Sequence, residues 1–132
     1  MERWTISEPS DGRYRPHISH GGTPFWCMFD FVVLPAPGGC GGVDIELAVD
    51  ADPVSGDWFP HLRRGMLRGL AATRAQGREW FGVRVEIRKV HVHPTDTTVR
   101  GCEWYGFSFA VDELPVRGVK ILESNSSGEA SP

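Results

Sequence analysis

The sequence predicts a two-layer α+β sandwich, with one solvated sheet face and helix packed on the other. Three observations carry this prediction. VDIELAV (residues 43–49) and FGVRVEIR (81–88) alternate apolar and charged residues, as half-buried strands do. Between them the apolar period lengthens to about 3.6 residues, which is helical. The outward strand positions hold Asp44, Glu46, Arg84, Glu86 and Arg88, whereas a sheet buried on both faces would read as unbroken apolar runs.

FWCMFDFVVL (25–34) is the first strand, with Phe25, Cys27, Phe29, Phe31 and Val33 on one face and Asp30 on the other. The run PAPGGCGG that follows can form neither helix nor ladder and marks a loop at a strand end. In the next strand Val43, Ile45, Leu47 and Val49 face inward, and the outer charges of neighbouring strands can pair for a few tenths of a kcal/mol each. The helix is expected at about 59–76, with Pro60 in its first turn, Leu62, Met66, Leu70 and Thr73 on its apolar side, and Gly77 as its stop. Gly65 and Gly69 inside it each cost roughly 1 kcal/mol against alanine, which implies close packing on something flat. A sheet face would fit. Residues 99–115 fit two patterns: Phe107, Ala110, Val111 and Leu114 share a helical face ending before Pro115, while Phe107, Phe109 and Val111 also suit a strand.

The chain has 132 residues, of which 40% are hydrophobic, enough for one domain. It contains no apolar run of about 18 residues, and MERWTISEPSDGR lacks a signal-peptide layout, so a cytoplasmic protein without membrane contact is expected. Its three cysteines, Cys27, Cys40 and Cys102, form no C-x-x-C pair and are expected as reduced thiols. A net charge of −3 argues against general phosphate attraction, so any RNA contact must be local. Arg63, Arg64, Arg68 and Arg74 are therefore expected on a solvated helix face, and the terminal ESNSSGEASP as disordered.

The chain carries, in this order, HISHGGTPFW (17–26), PAPGGCGG, Phe59-Pro60-x-x-x-x-Gly65, Val83-Arg84-Val85 and His93-x-x-Asp96-Thr97-Thr98. Together these motifs resemble domain IV of elongation factor G. From Pro60 to Thr98 the pattern lies on this chain without a gap. The resemblance implies a ribosomal protein S5 domain 2-like fold with a left-handed β-α-β crossover, a domain over residues 12–115, an extension over 1–11 and a flexible tail over 116–132. It also implies that Tyr105–Ala110 lies in a second helix, with VRGCE (99–103) inserted before it. Thr23 and Pro24 stand where the family carries basic residues, and no phosphate-binding G-x-x-x-x-G-K-[ST] is present.

By that resemblance, loops 17–24 and 89–98 form one tip that contacts the ribosome or structured RNA. The candidate contacts are His20, Gly21, Gly22, Thr23, His91, His93 and Asp96, with Trp104 as an aromatic for stacking. Two other readings stay open, a protein-interaction module on the same fold and a metal site in which His17, His20, Asp96 or Cys102 joins the His91–His93 pair. Asp96 could orient His93 for base catalysis, but no nucleophile stands at a recognisable spacing. The expectation is a non-enzymatic binding domain without cofactors.

Overall fold

The structure, a computed structural model, describes residues 1–15, 27–36 and 42–122. Its main sheet has the order β2-β3-β6-β4, built from Ser10–Tyr14 (β2), Phe29–Pro35 (β3), Val83–Val90 (β6) and Val43–Leu47 (β4). β3 pairs antiparallel with both β2 and β6. β4 pairs parallel with β6, so helix α1 (Pro53–Ala75) between them makes a β-α-β unit. α1 and a second helix, α2 (Val99–Ser108), form the other layer, and the α+β two-layer sandwich stands as predicted.

Between the layers Phe29, Phe31, Val33, Val85 and Ile87 meet Leu62, Met66, Phe109 and Leu114, all at most 1% exposed. Tyr14, Phe29, Phe31 and Phe109 form an aromatic group, with Phe31 and Phe109 centroids 4.8 Å apart and edge to face. On the outer face Arg84 pairs with Glu46 of the neighbouring strand (3.8 Å), as the charge pattern anticipates.

Several expectations are corrected. α1 begins before Phe59: Asp52 caps it by accepting from the Ser55 backbone N–H (3.1 Å), Pro53 occupies the first position, and Pro60 lies inside the helix on its exposed side. Gly77 does end it, at a φ of +99° that side chains rarely adopt. Gly65 and Gly69 do pack closely, but on α2 and the turn after it: a Cβ on Gly65 would lie 1.9 Å from the Glu103 carbonyl oxygen, and one on Gly69 2.7 Å from that of Phe107. A main-chain surface without side chains is what two crossing helices need, and a sheet face bristling with Phe and Val does not offer it.

VRGCE is no insertion before the second helix; it is the helix's first turn, started by Thr98, whose Oγ1 accepts from Gly101 N–H (2.9 Å). The helix passes through a π-helical turn, Phe109–Glu113, into α3 (Leu114–Arg117), so Pro115 opens a last turn instead of ending the run. Residues 1–11 and 116–120, expected as extension and tail, contribute structure. Glu2–Thr5 (β1) pairs in parallel with Arg78–Trp80 (β5) and antiparallel with Val119–Lys120 (β7), making a small second sheet. Residues 123–132 lie outside the described residues.

The thiols are also corrected. Cys27 and Cys102 are disulfide-bonded, 75 positions apart, and both are fully buried. Thr98 starts α2 so that Cys102 falls on its inner face, directly over the residue that leads into β3. Cys40 lies outside the described residues.

Candidate functional site

The end of the sheet farthest from β1 and β7 is organised by the exit of β6. Tyr14, Phe29 and Val90 are aligned across three strands, so Arg15, Met28 and His91 follow side by side at one end. The His91 N–H donates to the Met28 carbonyl (2.8 Å) and extends that row. β1 and β7 sit beside β5, at the opposite end of β6, whose eight residues span about 25 Å.

A β-bulge explains why the alternation of this strand breaks. Phe31 pairs with Ile87 but Asp30 pairs with Lys89, so the register slips there and both Ile87 and Val90 reach the core. The slip leaves Arg88 and Lys89 exposed and sets Asp30 beside His91. Asp30 accepts from Arg13 Nε (2.7 Å) and lies 3.1 Å from His91 Nε2. Burial tends to raise its pKa, but the hydrogen bonds from Arg13 and His91 outweigh this and hold the carboxyl below its usual value.

Beyond Val92 the chain folds into a turn around the His93 ring. Nδ1 lies 3.3 Å from the backbone N–H of both Thr95 and Asp96, so it acts as an acceptor, and the Asp96 carboxylate stands 3.4 Å away. His93 N–H donates to Thr97 Oγ1 (2.6 Å), which closes the loop. In this geometry Asp96 shapes the turn and does not receive a ring proton at Nδ1. His91 and His93 thus spend nitrogens on different partners, and Cys102 is committed to the disulfide. Among the described residues no group of three His, Cys, Asp or Glu side chains is placed to hold a metal ion.

His20, Gly21, Gly22 and Thr23 lie outside the described residues, as does His17. The residues flanking that segment, Arg15 and Cys27, are at the same end of the sheet as His91. Trp104 stands on α2, 38% exposed, facing the edge strand β2 and not the His93 turn. The helix arginines are mostly paired, Arg64 and Arg68 with Glu103 (2.8 and 3.3 Å) and Arg74 with Glu79 (3.5 Å). The Arg64 hydrogen bond, chiefly, keeps the Glu103 carboxyl below its usual pKa.

Sequence reasoning missed Arg15, Lys89 and Arg100, three exposed cations at this end for which no ion pair is found among the described residues. Arg100 lies in the first turn of α2, next to the loop, and Lys89 borders the bulge. In the sequence this region was marked by the histidine motif of loop 89–98, not by its cations. Each of these cations became significant by placement.

No protein-family model and no curated protein matches the chain. Among solved structures it is similar to the crystal structure of ttk003000868 from Thermus thermophilus. The TM-score is 0.61 and the identity 14%, over 90% of this chain and 18% of that one. The likeness is one of fold, and this chain spans less than a fifth of that protein's length. No helix among the described residues is long and apolar enough to cross a membrane.

Proposed function

We propose that this is a non-catalytic binding domain of the elongation factor G domain IV type, which docks its distal end on structured RNA such as the ribosome. The observation that carries this reading is the gathering of Arg15, Lys89 and Arg100 around the His91–Asp96 loop. Elsewhere Arg64, Arg68, Arg74, Arg84, Arg117 and Lys120 are each held in an ion pair. A chain of net charge −3 can thus attract phosphate locally while repelling it over much of its surface. The first backbone amides of α2 open at the same end, and such amides favour phosphate oxygens. The sequence motifs His93-x-x-Asp96 and Phe59-Pro60-x-x-x-x-Gly65 lend the family assignment its support.

Co-sedimentation with ribosomes tests this. Wild-type protein should pellet with them at low salt and leave as salt rises from about 50 to 200 mM. Lys89→Glu with Arg100→Glu should abolish pelleting, while Arg63→Glu on the helix face should not. A protein-interaction module, which the acidic net charge favours, would instead ignore both the salt and the charge reversals. Absence of pelleting at low salt refutes the RNA reading.

A further inference from the structure

A cleft of about 440 Å³ lies between the edge strand β2 and the helical layer, within the size range of small-molecule sites. Its strand wall is Arg13, Tyr14 and Arg15. Its helical wall presents Trp104, Ser108 and Asp112, with Glu113 at one end. Much of this lining is already committed: Arg13 to Asp30, Glu113 to Arg117 (2.8 Å), and the Tyr14 hydroxyl to Ser108 Oγ (2.6 Å). Ser108 Oγ also donates to Asp112 Oδ2 (3.3 Å), and the Asp112 side chain is exposed. What the cleft offers a visitor is an aromatic face, a carboxylate and the Arg15 guanidinium.

The π-helical turn is what aligns the helical wall. Trp104, Ser108 and Asp112 recur every fourth residue, and an uninterrupted α-helix would carry Asp112 about 80° round from Trp104. A π turn advances less per residue, so Phe109–Glu113 takes back most of that drift. The three side chains therefore share one line along the helical wall.

We infer that this cleft holds one unstacked guanine of a single-stranded nucleic acid, stacked on Trp104, with its Watson–Crick edge on Asp112 and its phosphate near Arg15. The inference rests on the RNA-binding reading above and adds a base-reading site to it. The chemistry follows from what the cleft offers. A flat ligand suits the indole face. Uracil sets its single N–H between two carbonyl oxygens, which a carboxylate repels. Guanine places two adjacent N–H donors, N1 and N2, before a carboxylate, whereas adenine turns a ring nitrogen acceptor toward it and is repelled. An anionic group on the same ligand accounts for Arg15 on the facing wall.

The test uses the full chain and fluorescently labelled uridine tracts of about nine nucleotides carrying a central guanine, adenine or uridine. The guanine oligonucleotide should bind at least about tenfold more tightly than the other two. Asp112→Asn should remove that preference and bring the three affinities together, and Trp104→Leu should weaken all three. Arg15→Gln should weaken all three alike and flatten the salt dependence. Trp104, Asp112 and Arg15 are at the surface, and circular dichroism confirms that each variant is folded before binding is read. Equal affinity for the three oligonucleotides, or a guanine preference that survives Asp112→Asn, overturns the site. If wild-type protein pellets with ribosomes yet shows no base preference, this inference falls and the RNA-binding reading stands. If it binds neither ribosomes nor oligonucleotides, both fall.

Discussion

Gly65→Ala and Gly56→Ala are the same chemical change on the same helix, and they should move stability in opposite directions. Taken alone, each replaces glycine with the best helix former and should gain up to about 1 kcal/mol. At Gly56 the new Cβ would meet only Leu47 Cδ2 at 3.8 Å, an ordinary contact, so the gain should be realised. At Gly65 it would fall 1.9 Å from the Glu103 carbonyl oxygen and 2.7 Å from the carbonyl carbon. These are backbone atoms of α2 and cannot swing aside, so the helices must part by about 1.5 Å to restore normal contact. A gap of that size forfeits half or more of the dispersion energy across the crossing. Leu62 and Met66 on one side, and Tyr105 and Phe109 on the other, would lose contact together. Overpacking of this kind costs about 3 kcal/mol or more, which leaves a net loss near 2 kcal/mol after the helix gain. Urea unfolding followed by circular dichroism should therefore separate the two variants by about 3 kcal/mol at unchanged slope. Gly106→Ala, whose Cβ would sit 2.2 Å from the Leu62 carbonyl oxygen, should behave like Gly65→Ala. The reasoning fails if Gly65→Ala is as stable as wild type, or if Gly56→Ala falls with it.

The disulfide should be visible in a thiol count: protein unfolded without reductant should titrate one thiol, Cys40, and a count of three would refute the bond between Cys27 and Cys102. Replacing both by serine should cost up to about 4 kcal/mol, since the bond closes a loop of 75 residues in the unfolded chain. Burial, chiefly, raises the Tyr14 pKa to about 12, so its neutral hydroxyl stabilises the fold fully below pH about 10, with the contribution lost as the pH climbs toward about 12. Over that window it is worth about 3 kcal/mol, and Tyr14→Phe should flatten the alkaline fall in stability relative to wild type. Asp30 carries the opposite sign: its depressed pKa adds stability above the unfolded value near 3.8, lost as the pH falls through the lower folded one. Asp30→Asn should remove that part of the acid transition, as read by denaturation at a series of pH values.

The central strands and the main helix were legible because each pattern is local. Val83, Val85 and Ile87 must alternate whatever lies beside them, and Gly65 announces a close approach wherever it points. What it approaches was not legible, since the carbonyl of Glu103 belongs to a helix whose own start was hidden in VRGCE. β1 and β7 have four and two residues, too short for any period, and exist only because β5 supplies a partner. The bulge at Asp30 likewise depends on two strands at once. His91, His93 and Asp96 were singled out by sequence, yet Arg15 comes from the end of β2, which only the register brings to that end.

The small sheet also determines how the domain would bear load. Trp4 pairs with Lys120 and Thr5 with Val119, and the Ile121 N–H donates to the Arg3 carbonyl (2.7 Å), so both outgoing strands leave side by side. Tension applied there would open this antiparallel ladder like a zipper, one hydrogen bond at a time, at low force. Until β1 and β7 had peeled away, none of that tension would reach β3 or β6. A tug on these two strands would shed the base of the molecule first and leave its far end folded.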